Sequence, residues 1–182
     1  MAFRILSPVI AATVLVFGSA ASASAQIGSE PLLGAGISFL DKNAGATGTG
    51  FAVDLAGKVK TFDKISLAVV GDVGLNFFDF ETVTMVQAGV RVNFTTPNAK
   101  VKPFAQGLAG WAHFNASDCK GSHCQSNGFV LTPGGGLDYA LSKKTNLRVQ
   151  LDLPAVVFDV VAIDELDHDA RFWFGISFRV GG

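Results

Sequence analysis

Cys119 and Cys124 lie in a polar stretch, Asp118-Cys119-Lys120-Gly121-Ser122-His123-Cys124, with four residues between them. In an oxidising compartment an even cysteine pair reads as a disulfide, which here would staple a small ring. A metal reading would add His113 and His123, but the paired spacing of a structural zinc site is missing, so no metal is expected. A second cluster, Asp164, Glu165, Asp167, His168 and Asp169, offers hard oxygen ligands to a cation such as Ca²⁺ or Mg²⁺. Its spacing fits no EF-hand loop, and the plainer alternative is a solvated acidic edge. His113 and Ser117 could make a base–nucleophile pair if the chain brings both to one side. A third set is dispersed: Asp72, Arg91, Asp138, Arg148, Asp152 and Arg179 mix carboxylates with guanidiniums that could pair across a narrow space. Gly34-Ala35-Gly36 and Gly134-Gly135-Gly136 lack the following helix or lysine of a nucleotide loop, so they read as strand glycines and no cofactor is expected.

Period-two alternation positions the dispersed charges. Ile65, Leu67, Val69, Val73, Leu75 and Phe77 alternate with Ser66, Ala68, Asp72, Gly74 and Asn76. Val86 to Phe94, Phe129 to Leu141 and Leu147 to Leu153 repeat the pattern, and Phe172, Phe174, Ile176, Phe178 and Val180 oppose Arg171, Trp173, Gly175, Ser177 and Arg179. Each run reads as a strand with one apolar and one polar face. Three weaker segments, 33–40, 50–59 and 101–114, complete a set of eight, the face of the last being ambiguous around Gly107 to Gly110. Residues 61–64, 95–99 and 142–145 carry turn chemistry. Residues 41–47, 115–127 and 160–170 read as longer loops, while the connection near 78–81 is short.

The chain has 182 residues, enough for one ordinary domain, and only 16% are charged against about a quarter in a typical soluble domain. A formal charge of −1 excludes the basic field that would draw the chain to nucleic acid. At the amino terminus Arg4, an apolar run from Ile5 to Phe17 and the Ala21-Ser22-Ala23-Ser24-Ala25 tail read as an export signal over residues 1–25, cleaved after Ala25. The domain is then 26–182. No later apolar run approaches helix-spanning length, so a membrane location requires a closed barrel.

Alternation alone does not separate a membrane barrel from a soluble one, but the polar face does. Asp72, Arg91, Asp138, Arg148, Asp152 and Arg179 carry both signs and are interleaved with Gly, Ser, Asn and Gln. That composition suits a small lumen filled by side chains, with glycines making room for arginines. Phe77, Phe80, Phe94, Phe114, Phe129, Phe158 and Phe172 fall near strand ends, where interfacial girdles sit. The expected fold is all-β: a closed, antiparallel, up-and-down, transmembrane barrel of about eight strands.

Val101-Lys102-Pro103-Phe104 through Gly110-Trp111, the run Pro133 to Tyr139, Leu147 to Asp152 and the closing Phe174 to Gly181 resemble the bacterial outer-membrane β-barrel domain family, related in style to the outer membrane protein A transmembrane domain. Members typically end in an aromatic strand signal read by the insertion machinery. Here Phe178 is followed by Arg179-Val180-Gly181-Gly182, a departure from that ending. The resemblance implies a monomeric outer-membrane protein of a Gram-negative bacterium that meets membrane lipid, including lipopolysaccharide, and the insertion machinery, and binds no nucleic acid. The function expected is structural, envelope-integrity or surface-interaction rather than enzymatic, with outer loops exposed and the lumen plugged. Alternatives are an exported soluble lipocalin-like ligand-binding barrel, a narrow pore, or a lipid A-modifying enzyme. For the last, His113-Phe114-Asn115-Ala116-Ser117 is similar to the His-aromatic-Ser-Asn-Ala stretch of lipid A deacylases, with Asn115 where that family has its nucleophilic Ser.

Overall fold

The computed structural model describes residues 31–42, 45–98, 100–116, 125–157 and 167–180. Its strand segments are β1 (Leu32–Lys42), β2 (Ala46–Thr61), β3 (Ile65–Phe77), β4 (Glu81–Phe94), β5 (Val101–Ala116), β6 (Gln125–Ala140), β7 (Thr145–Asp152), β8 (Ala155–Val157), β9 (Asp167–His168) and β10 (Ala170–Arg179). All pairings are antiparallel, and β10 returns to β1 while β5 joins β6, so the sheet has no free edge. β7 and β8 are one stave interrupted at Leu153-Pro154: both lie along β6, and Pro154 has no N–H for the ladder. Pairing survives the gap because the Leu153 N–H donates to the Pro133 carbonyl and the Asp169 N–H to the Pro154 carbonyl. β9 and β10 are likewise one stave on either side of Asp169, giving eight staves in all.

The turns follow local chemistry. Gly45, at φ 81°, donates to the Lys42 carbonyl and turns β1 into β2. Ser142 Oγ accepts from the Lys144 and Thr145 N–H groups and holds the β6–β7 turn. The strands run further than the hydrophobic pattern alone indicates. β1 and β2 leave only 43–45 between them, and β5 and β6 leave 117–124. Small residues such as Thr47, Gly48 and Gly50 silence the alternation there while the backbone ladder continues.

The register fixes the shape. Paired residues lead from Leu40 through Arg171, Asp152, Gly134, Gln106, Arg91 and Ala68 to Lys58. Lys58 lies two residues beyond Ala56, the partner of Leu32, so the circuit returns ten residues out of step with its start at Leu40. Such a stagger in an eight-stave barrel goes with a strand tilt of roughly 35–45° and an interior only wide enough for side chains.

The two faces separate cleanly. Phe51, Val90, Trp111, Leu137, Leu151, Phe174 and Ile176 are exposed on the outside, whereas Asp54, Asp72, Arg91, Gln106, Asp138, Arg148, Gln150, Asp152 and Arg171 are buried inside. β5 resolves into Phe104, Gln106, Leu108, Ala112 and Phe114 inward, with Ala105 and Trp111 outward. Phe77, Phe80, Phe94, Phe129 and Phe172 are exposed, but Phe114 is not part of an exterior girdle. It is buried with Leu40, Val83, Met85, Ala112, Val130 and Val156 in an apolar layer at the end where β1 meets β2. A smaller layer, Ala56, Ala68, Val70 and Leu108, lies toward the other end.

Candidate functional site

From the Leu40–Phe114 layer toward the short-turn end, alongside the smaller Ala56–Leu108 cluster, the lumen is filled by charge. Arg148, 0% exposed, grips Asp138 in a fork, with Nε to Oδ1 at 2.6 Å and Nη2 to Oδ2 at 2.8 Å. Its Nη1 reaches across to both oxygens of Asp54, at 2.9 and 2.6 Å. Arg91 Nη2 donates to the same Asp54 at 2.7 Å, and Arg91 Nε and Nη2 share Gln106 Oε1. Arg171 bridges Asp72, at 2.8 Å from Nη1, and Asp152, at 2.7 Å from Nη2. Gln106 and Gln150 each add an amide donor to Asp152. Charge-assisted, partly bidentate bonds of this kind are what make buried ions tolerable.

Aromatic and small residues shape the space around these ions. The Phe104 ring lies 4.4 Å from the Arg91 guanidinium carbon and 5.1 Å from that of Arg148, both within cation–π range. The Trp173 indole is buried and donates to the Ala52 carbonyl at 3.3 Å. Glycine leaves room for the acids: a Cβ on Gly34 would fall 1.9 Å from Asp54 Oδ1, and one on Gly134 2.0 Å from Asp152 Oδ1. Nearer the apolar layer, Gln87 donates to Thr132 and Ser38 to Asn76. Above it, Lys42 pairs with Glu81 and lies over the Phe78 and Phe114 rings.

Of the charges singled out from the sequence, Asp72, Arg91, Asp138, Arg148 and Asp152 meet in this network. Arg179 does not: it is exposed at the end of β10, on the wall of the mouth, and the guanidinium contributed by that stave is Arg171. Asp54, which serves two arginines, was missed because β2 shows its inward face mostly through Gly and Ala. The alternation of Phe51, Val53 and Leu55 with Ala52, Asp54 and Ala56 carried the signal. Cys119, Cys124, Asp164 and Glu165 lie outside the described residues, as does Ser117. Asp167 falls in β9, and Asp169 is buried beside it. No group of metal-binding side chains occurs among the described residues. His113 faces outward and its Nδ1 lies 2.7 Å from Asn127 Oδ1.

No family model matches the chain, and no curated protein matches it. Solved structures do. Neisserial surface protein A is 16% identical over 84% of this chain and 96% of its own, with a TM-score of 0.54. The N-terminal β-barrel domain of Pseudomonas aeruginosa OprF is 16% identical over 84% of this chain and 99% of its own, at 0.51. The outer membrane enzyme PagL is 12% identical over 82% of this chain and 99% of its own, at 0.55. The chain therefore has the fold of the small eight-stranded outer-membrane barrels.

Proposed function

We propose that this chain is a small outer-membrane barrel of a Gram-negative bacterium with a structural, envelope-integrity or surface-interaction role, in which the lumen is a plug rather than a path. The observation that carries this reading is the cross-braced lumen, where Asp54, Arg91, Asp138 and Arg148 span the bore beneath a layer containing Leu40, Met85 and Phe114. In this reading the 1–25 segment is removed on export and the mature chain inserts as a monomer through the barrel-insertion machinery. The short turns face the periplasm, and the loop with Cys119 and Cys124, closed by a disulfide, meets the lipopolysaccharide side. The mature barrel reconstituted in planar bilayers is expected to give no unitary conductance steps; stable steps would overturn the plug. Release of the mature protein by osmotic shock alone would overturn the membrane placement.

A lipid A-modifying activity is the second reading, favoured by the outward-facing His113 and by a fold that also serves an outer membrane enzyme. Lipid A mass spectra from cells with the wild-type chain and with His113→Ala test it. An acyl pattern that differs between the two would favour the enzyme.

A further inference from the structure

At the end of the barrel that carries the short turns, the lumen opens into a vestibule of about 420 Å³. Its wall includes Lys58 from β2, Lys102 from β5 and Arg179 from β10, three cations from well-separated staves, and Arg91 also contributes to it. Among the described residues the only carboxylate in the wall is Asp138, which is already held in the fork of Arg148. Arg91 is 1% exposed, and its Nη1 has no hydrogen-bond partner among the described residues. A buried guanidinium N–H left unpaired is costly, so it marks a place where an acceptor is wanted.

The backbone arranges the cations for this. The ladder between β2 and β3 slips at Val59, so Lys58 keeps the inward register of Ala68, whereas Lys60 pairs with Leu67 and lies over the exterior Phe62 ring. Lys64, Lys100, Lys143 and Lys144 follow on the surrounding turns, against Asp63 as the acid of those turns. Such a rim raises the local concentration of anions before any contact is made.

We propose that the vestibule binds a phosphate-bearing ligand, its phosphate oxygens held by Lys58 and Lys102 with Arg91 at the inner end. Converging ammonium and guanidinium donors suit a multiply charged, many-acceptor group. The same chemistry is offered by a soluble phosphate ester or by a phospholipid headgroup at the adjacent membrane surface. The binding chemistry is independent of cellular location; that the mouth faces the periplasm rests on the function proposed above, which fractionation tests separately.

The test uses the mature chain refolded in an uncharged maltoside detergent, with heat-modifiable gel migration confirming that each variant is folded. Glycerol 3-phosphate is titrated by calorimetry, and a short-chain phosphatidylglycerol is titrated in a second arm. Saturable one-to-one binding is expected, weakened at least tenfold in the Lys58→Gln/Lys102→Gln variant and changed less than twofold in the Lys60→Gln/Lys64→Gln variant. Saturation by glycerol 3-phosphate assigns a soluble ester; saturation by the lipid alone assigns a headgroup. Equal weakening in both variants, or no saturable heat in either arm, overturns the site.

Discussion

Asp54 accepts from two guanidiniums at once, and Asp152 accepts from Arg171, Gln106 and Gln150, whereas Asp72 is bonded to Arg171 through a single contact. In the ion pairs of the central lumen four aspartates, 54, 72, 138 and 152, face three arginines, 91, 148 and 171, so carboxylates outnumber guanidiniums there. These inequalities rank the substitutions. Asp54→Ala leaves buried Arg91 with no carboxylate and Arg148 with Asp138 alone, and is expected to cost about 3–5 kcal/mol. Asp72→Asn removes one of the more numerous carboxylates, keeps an acceptor oxygen, leaves Arg171 paired with Asp152 and should cost less than about 1 kcal/mol. Urea unfolding of the refolded barrel in detergent, followed by Trp111 and Trp173 fluorescence, checks both. The polar faces of the clearly alternating strands made Asp72, Arg91, Asp138, Arg148 and Asp152 legible in the sequence. Arg171 and Arg179 share the inward parity of β10, but parity gives the face and not the depth, so the sequence alone did not tell buried cation from rim cation.

At the scale of strands, glycines decide how closely neighbouring backbones approach. A Cβ on Gly50 would lie 1.8 Å from the Leu75 carbonyl oxygen, a backbone atom that no rotamer change can move. Gly50→Ala should therefore destabilise the barrel by roughly 1–3 kcal/mol. Gly71 has nothing within 4 Å of its would-be Cβ, and Gly71→Ala should be neutral or gain up to about 1 kcal/mol through the lower entropy of the unfolded chain. The same urea titration separates the two. Glycine was also what hid the start of β2, where Gly48 and Gly50 interrupt the hydrophobic signal while the ladder continues, and what blurred the face of β5 at Gly107 and Gly110. Turn chemistry at Ser142 to Thr145 was readable because it depends only on local side chains.

For the whole molecule, the inverted polarity makes a lipid-facing prediction. Val149 lies on the exterior between Leu137 and Phe174, and Val149→Arg should cost roughly 2–4 kcal/mol in a bilayer if this level is near its centre, and far less in detergent. Unfolding in vesicles and in micelles measures the difference. The orientation proposed above also has a direct check. In intact cells an impermeant maleimide should label Asp79→Cys, at the β3–β4 turn, and should reach Lys143→Cys only after the outer membrane is opened. The reverse pattern would turn the barrel over. Composition and period-two patterning were enough to read eight staves, an apolar outside and a charged inside. The vestibule was not readable, because its cations come from β2, β5 and β10 and meet only once the sheet has closed.

The reach of the lumen ion pairs along the chain imposes an order of events. Arg148 and Asp54 are 94 positions apart, and Arg171 and Asp72 are 99 apart. No hairpin contains both members of either pair, so a partly assembled sheet presents aspartates with their counter-ions still missing. Those charges stay hydrated until the last stave brings Arg171 home. Crossing the hydrocarbon and closing the ring must then be a single concerted act, and the finished barrel, once shut, can come apart only by exposing all of its ions together.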